Sequence, residues 1–375
     1  MARDRGRPPA LNILHLVWGS AEAYGGIETH VRNLCRAMNE RGHPSAIAAL
    51  PSLRTAHRIS PQSPEALPLM SLPEALKARL QGFGADVAIS HNLYPAATGG
   101  VPVLVAGALK SQGIPHVGVI HDVYESRSDQ RDQGYRDATI VTVSRVNAEL
   151  IRRRLNITAA AVIPPLVDVA GFEVTPAPDD QVIAFPARLS PQKGVDAAVR
   201  LVGYLSGELG PITLLLSQPG SGAFGEEAAF VEQLRREADS FPDLCLAFNE
   251  ADGVAAMYQR AAMTLVTPIG REGYGMTPAE SLASGRPVVA GPTGGMGWVS
   301  EAPGVLAVSG ADILAICRGV AEVLGQRQTW LRRALEGRAW VEQRFDPDVI
   351  CAAYLKVCGD ALASTGALKR TEVQW

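Results

Sequence analysis

The sequence predicts an α/β chain of two doubly wound domains in tandem, each a parallel sheet covered by helices on both faces. Three observations carry that expectation. The 375 residues suit two domains at roughly 150 residues apiece. Hydrophobic residues make up 47% and charged residues 19%, enough apolar material for two full cores, which excludes disorder as the main theme. Finally, short apolar runs of strand length alternate with helix-period stripes, with one interruption near 164–180.

Leu11 to Trp18 is the first strand-length run, and the loop GSAEAYGG follows it. Ile27, Val31, Leu34, Cys35 and Met38 then fall on one face of an amphipathic helix, which Arg41-Gly42 ends with a cation and a left-handed cap. The same grammar recurs at DVAIS (86–90), HVGVI (116–120) and IVTVS (140–144). Between 164 and 180 the prolines Pro164, Pro165, Pro176 and Pro178 and the closing acids Asp179-Asp180 read as a linker. After it QVIAFPA is a strand, Ser190-Pro191 is suited to cap and open a helix, and Val195, Val199, Val202 and Leu205 share one helix face. Further strands are expected at 212–217, 244–249, 263–268 and 286–291.

Composition narrows the function classes. Lys plus Arg is 35 and Asp plus Glu 38, so the net charge of −3 argues against a nucleic-acid partner. The five cysteines are scattered without CxxC spacing and read as thiols of a reducing compartment. No cleavable leader pattern follows the basic start, and the longest apolar run, 101–109, is half a membrane span. A cytoplasmic protein is expected, with peripheral membrane contact open but not favoured.

Several groups are candidates for chemistry. Gly25-Gly26 close the first strand-to-helix loop, where the backbone could approach a phosphate or make a tight turn. Neither domain's first such loop carries a G-x-G-x-x-G fingerprint. In PARLSPQKGVD, Arg188 leaves the strand and Lys193 sits near a helix start, where a cation opposes the macrodipole. An anion between them would remove that conflict; two solvated surface cations are the plainer alternative. In REGYGMTPAESLASGRPVVAGPTGG (271–295), Glu272 and Glu280 bracket seven residues that include Gly273 and Gly275. Thr277-Pro278-Ala279-Glu280 fits a capping box, which gives Glu280 a structural explanation that Glu272 lacks. The amides of Gly275, Met276 and Thr277 are expected to point out of that helix start. His91 and His121 are thirty residues apart without helical pairing, so no metal site is expected of them. Arg152-Arg153-Arg154 reads as a solvated face, and Asp129, Asp132 and Asp137 as loop charges; Trp298 fits either a core or a sugar-stacking surface.

The stretch from 271 to 295 resembles the signature of retaining glycosyltransferase family 4 (glycosyl transferases group 1), which has the GT-B fold of two Rossmann-like domains facing a central cleft. A glutamate, seven residues and a second glutamate precede SLASGRPVVAG and Gly294-Gly295. The resemblance extends in family order to GGIETHVRNLCRAMNERGH, HNLYP (91–95), IHDVY (120–124), VTVSRVNAELIRRRL (141–155), IPPLVDVAGF (163–172) and ARLSPQKGVD (187–196). It implies an acceptor-binding domain over 1–165, a linker over 166–180, a nucleotide-sugar domain over 181–345 and a helix over 346–375 that crosses back. It also implies roles. Gly25-Gly26, through the Gly26 amide, with Arg188 and Lys193, would hold the donor diphosphate. Glu280 would take the ribose, and Glu272 with the stretch Gly273, Tyr274, Gly275, Met276 and Thr277 would grip the sugar. His121 would lie near sugar and acceptor, and His121, Arg188, Lys193 and Glu272 would form the catalytic group.

The expected reaction moves a sugar from a nucleotide-diphosphate-sugar to an acceptor hydroxyl with retention. Cations and amides meet the leaving charge, so no cofactor and no metal is required; the nucleotide-sugar is a substrate. A UDP-sugar is placed ahead of GDP- or dTDP-sugars, and a small polar or natural-product acceptor ahead of a lipid-linked or polysaccharide one. A nucleotide-sugar epimerase or glycogen-phosphorylase-like enzyme of the same fold and a non-catalytic sugar- or nucleotide-binding protein are the alternatives.

Overall fold

The computed structural model describes residues 10–18, 25–50, 72–92, 101–122, 135, 137–219, 227–250, 253–309 and 312–371. The expected loop aspartates Asp129 and Asp132 lie outside the described residues. Two compact units form. One holds the chain up to Leu166 (residues 24–26 excepted) together with Pro347 onward; the other holds Val167–Asp346 and residues 24–26.

In the first unit β1 (Ile13–Trp18), β2 (Ser45–Leu50), β3 (Val87–His91), β4 (His116–Ile120), β5 (Thr139–Thr142) and β6 (Ala161–Val162) make one parallel sheet in the order β2-β1-β3-β4-β5-β6. Helices α1 (Gly26–Glu40), α2 (Leu72–Phe83), α3 (Val101–Gln112) and α4 (Arg145–Leu155) connect the strands. Strands β3 and β4 are buried at every position, which is why both are mostly apolar, with Ser90, His91 and His116 as buried polar exceptions. Gly42 takes φ +80 after α1, as its position behind Arg41 predicts. The apolar run at 101–109 is helix α3, and no described helix is long and apolar enough to cross a membrane. Helix α11 (Pro347–Thr371) belongs to this unit, where Asp348 pairs with Arg41 of α1 at 2.6 Å and Tyr354 is fully buried beside His30.

In the second unit β7 (Val182–Phe185), β8 (Ile212–Leu216), β9 (Leu244–Phe248), β10 (Met263–Val266), β11 (Val288–Ala290) and β12 (Val305–Ala307) are again all parallel. Their order, β12-β11-β10-β7-β8-β9, is the doubly wound dinucleotide-binding order read from the far edge. Helices α5 (Val195–Leu209), α6 (Glu227–Ala238), α7 (Val254–Arg260), α8 (Thr277–Ala283), α9 (Ile313–Gly325) and α10 (Arg327–Arg344) cover it. The core joins the inward face of α5 (Val195, Val199, Val202, Leu205) to Ile183, Leu214 and Leu265 of the sheet and Ile316 of α9. That is the stripe the valine and leucine spacing predicts.

The proline-rich segment is less linker-like than its composition. Leu166, Val167, Val169 and Phe172 are buried. The guanidinium of Arg286, 1% exposed, donates to the carbonyl and hydroxyl oxygens of Thr175, both at 2.8 Å.

Candidate active site

In an open parallel sheet, ligands collect beyond the carboxyl ends of the strands where the strand order reverses. For the second unit that point lies between β7 and β10. The loop leaving β7 carries Arg188 and Lys193; the loop leaving β10 carries Glu272. Sheet topology therefore brings together residues 79 apart, and Lys193 Nζ lies 2.5 Å from Glu272 Oε1. Arg188 is exposed and has no ion-pair partner among the described residues.

Local backbone details differ from the sequence expectation, and the differences sharpen the site. Ser190 is extended but its side chain makes no capping bond. Pro191–Lys193 form a 3-10 turn, Gly194 takes φ +76, and only then does α5 begin. Lys193 thus sits before the helix and not in its first turn. A β-carbon on Gly194 would stand 2.2 Å from the carbonyl oxygen of Thr267, so the two loops close on each other only with glycine here. The Gly270 amide donates to the Gln192 carbonyl at 3.0 Å and completes the clamp. Gly194→Ala is expected to lower stability by about 2–4 kcal/mol, a melting shift of roughly 5–10 °C for a unit of this size. Activity should fall with it because Lys193 moves; differential scanning calorimetry with a transfer assay checks both.

The capping box does not form. Thr277 is the first residue inside α8, Met276 before it is already helical, and no side chain caps the helix. Glu280 turns away to accept the hydroxyl proton of Tyr258 at 2.9 Å. The structural explanation for Glu280 is therefore gone. Enclosure by protein raises its carboxyl above the ordinary value, the Tyr258 bond pulling the other way, and burial also raises the Tyr258 phenol. Tyr258 escaped the sequence reading because nothing in the spacing of α7 marks it. Arg286 escaped as well. It anchors the end of α7 by donating to the Tyr258 carbonyl at 2.9 Å, and a buried arginine without a carboxylate leaves no sequence signal.

Glu272 is held by the second glycine pair. The Gly295 amide donates to the Glu272 carbonyl at 2.7 Å, and a β-carbon on Gly294 (φ +55) would stand 2.4 Å from that same oxygen. Gly273 is buried, and Gly275 takes φ +78 against Met296. Tyr274 is 6% exposed and faces inward: its ring stacks on Trp298 at 5.4 Å, and Trp298 Nε1 donates to the Tyr274 carbonyl at 2.9 Å. Trp340 stacks on the far side of Trp298, with Arg344 over both indoles. Trp298 is thus core, not a sugar platform. What Tyr274 offers a ligand is backbone, its ring serving as the anchor of the loop. Met276 and Thr277 follow at the start of α8, both partly exposed.

Gly25 precedes α1 and Gly26 opens it. His121 lies one residue past β4, 6% exposed, its carbonyl accepting from Asn147 Nδ2 at 2.9 Å. His91 and His121 are not remote: His91 Nδ1 is 3.2 Å from His121 Nε2, and His15 Nδ1 is 3.1 Å from His91 Nε2. Strand adjacency achieves what the thirty-residue separation hid. His30, His91 and His121 place one ring nitrogen each within 4.8 Å of one another, so this trio is the set of described residues able to approach a metal ion. Burial lowers every ring: His15 to about 4, His121 to about 3, and His30 and His91 well below 6.5, where neighbouring histidines add to burial. Arg152 and Arg153 pair with Glu149 on the surface of α4, in accord with a solvated face.

Comparison with known proteins gives the same outline. The family described as Glycosyltransferase Family 4 matches residues 24–170, and Glycosyl transferases group 1 matches residues 171–336. The lipopolysaccharide core biosynthesis mannosyltransferase LpcC of Rhizobium leguminosarum bv. viciae is 26% identical over 206 residues, 52% of this chain and 57% of that one. A D-inositol 3-phosphate glycosyltransferase of Xylanimonas cellulosilytica is 30% identical over 227 residues, 53% of this chain and 51% of that one. The chain spans about half the length of the curated relatives it matches. The crystal structure of Anabaena HepE in complex with UDP aligns with a TM-score of 0.70 at 16% identity, over 93% of this chain and all of that one, a likeness of fold.

Proposed function

The chain belongs to the group 1 glycosyltransferases of GT-B fold, and from that premise we propose that it transfers a hexose, with retention, from a UDP-sugar to a hydroxyl of a small polar acceptor. The single observation that carries the reading is the meeting of Lys193 with Glu272 at the switch point of the second sheet, Glu280 standing on the next helix.

The chemistry breaks the bond between the anomeric carbon and the diphosphate oxygen and forms one to the acceptor oxygen. Negative charge grows on the leaving diphosphate and positive charge on the sugar ring. Lys193 and Arg188 meet the first, with the amide of Gly26 as a further donor. The acceptor proton passes to the departing phosphate oxygen on the same face, which preserves the configuration. Glu272 holds sugar hydroxyls and Glu280 the ribose. No step needs a metal.

Without donor, Lys193 is neutralised by Glu272. A sugar diphosphate gives each a new partner, the ammonium turning to phosphate and the carboxylate to sugar hydroxyls. Glu272→Gln is therefore expected to leave UDP affinity unchanged or tighten it a few-fold, because Lys193 is freed, while transfer falls about a hundredfold. Calorimetric titration with UDP beside a transfer assay checks it. Equal loss in both would remove the sugar role from Glu272.

The UDP preference draws on the nucleotide in the Anabaena complex. The small-acceptor preference draws on the inositol phosphate named for the Xylanimonas relative, whereas the Rhizobium relative supports the lipid-linked alternative. The epimerase gains no support from relatives that are all named transferases. Thermal shift with UDP-, GDP- and dTDP-sugars ranks donors. Proton NMR of the product reads the anomeric configuration, and an inverted product would overturn retention.

A further inference from the structure

All three histidines of the ring chain lie on one face of the first sheet. His15 of β1 is in register with Ile89 of β3, so His91, two residues on, shares its face. His91 is in register with Val119 of β4, so His121 shares it too. Each step moves one strand across and two residues toward the carboxyl ends. The imidazoles form a diagonal hydrogen-bonded ladder, His15 Nδ1 to His91 Nε2 at 3.1 Å and His91 Nδ1 to His121 Nε2 at 3.2 Å.

We infer that His15 and His91 are positioning residues that fix the tautomer of His121, so that His121 offers the substrate a protonated Nδ1 as hydrogen-bond donor. This rests on the proposed function, with His121 in the catalytic role that the family resemblance implies for it. A neutral imidazole has one donor and one acceptor nitrogen, so the ladder can run in only two senses. If His121 donated from Nε2, His91 would donate onward from its own Nε2 and His15 would carry its proton on Nε2. That atom is buried and has no hydrogen-bond partner among the described residues. The reverse sense leaves only a lone pair there, and a buried orphan donor is the rarer and costlier defect. The favoured sense puts Nδ1–H on all three rings.

The ring nitrogens argue against an ion in the same place. His30 Nδ1 accepts the Leu166 amide at 2.8 Å, so its proton is on Nε2, 3.4 Å from the Tyr354 hydroxyl. No lone pair of His30 is left for a metal. Both nitrogens of His91 are taken by its neighbours. Burial holds the rings neutral at pH 7, as single tautomers require.

Long-range proton–nitrogen correlation spectra of the full chain with 15N-labelled histidine, at pH 7.5 without substrate, read the tautomers. The expected result is Nδ1–H for His15, His91 and His121. In His91→Phe, His121 should cross to Nε2–H and kcat should fall about tenfold, the loss of one oriented hydrogen bond. His15→Asn keeps a donor where Nδ1 was and should preserve the tautomer of His121 and most of the kcat that His15→Phe loses. An Nε2–H form of His121 in the unmodified chain overturns the inference. So does a tautomer unchanged in His91→Phe, or stoichiometric zinc by elemental analysis after incubation with the metal. The unmodified spectrum decides even if a variant misfolds. A chain that transfers no sugar would sink the proposed function and leave the tautomer assignment standing.

Discussion

Lys193→Ala is expected to lower kcat/KM for sugar transfer by about a thousandfold and to leave the second unit folded. A cation aimed at a leaving diphosphate acts where charge develops, and losing such a group costs on the order of a hundred- to a thousandfold. Lys193 lies at the upper end because the other nearby cation on its loop, Arg188, is exposed and not fixed by an ion pair among the described residues. Stability should hardly respond. The Lys193–Glu272 pair keeps solvent contact at both ends, with side-chain exposures of 27% and 19%, and such a pair contributes no more than about 1 kcal/mol. Arg188→Ala should also abolish transfer without moving the melting transition. Steady-state kinetics with calorimetry tests both variants, and full activity in either would remove it from the phosphate site.

Mild acid should unfold the first unit and spare the second. All seven histidines of the chain lie between residues 15 and 121. Five of them, His15, His30, His91, His116 and His121, are held below 6.5 by burial, His15 and His116 to about 4 and His121 to about 3. Folded, they stay neutral; unfolded, they bind protons below pH 6.5. Across that window the unfolded state holds more protons, so stability falls as pH drops and the loss is complete near the folded values. Between pH 7.5 and 5.5 His15, His116 and His121 each take away about 1.4 kcal/mol, about 4 kcal/mol together, and His30 and His91 act in the same direction. That is a large share of a typical domain's stability of roughly 5–15 kcal/mol. The second unit has no histidine, and Glu280 there acts in the opposite sense. Its raised carboxyl binds a proton more readily when folded, so its contribution grows as pH falls. Hydrogen exchange at pH 7.5 and 5.5, mapped to each unit, is the measurement; equal protection losses in both would refute it.

Much of this was legible in the sequence. The buried strands at 87–91 and 116–120 showed as mostly apolar runs because helices cover both faces, and α5 showed in its valine spacing. The motif residues were legible as types, but their geometry was not. Lys193 and Glu272 meet because β7 and β10 are neighbours, a fact of sheet order that no local spacing carries. Thr277 looked like a cap because Thr-Pro-x-Glu suits one, yet helical backbone at Met276 moves the start by one residue and frees Glu280 for Tyr258. Trp298 was ambiguous because an indole suits either a core or a sugar, and only its stack on Tyr274 and Trp340 decides. The histidine ladder needed strand register, which a sequence does not state.

The return of the chain at Pro347 sets an order of events during synthesis. The second unit is the segment Val167–Asp346 with residues 24–26, and everything it needs has been made once its last helix leaves the ribosome. The first unit is begun earlier and finished later, because Tyr354 and Asp348, which close over α1, are made only after the second unit. A nascent chain therefore completes its middle before its beginning, and until then the face of α1 that α11 will cover must wait uncovered.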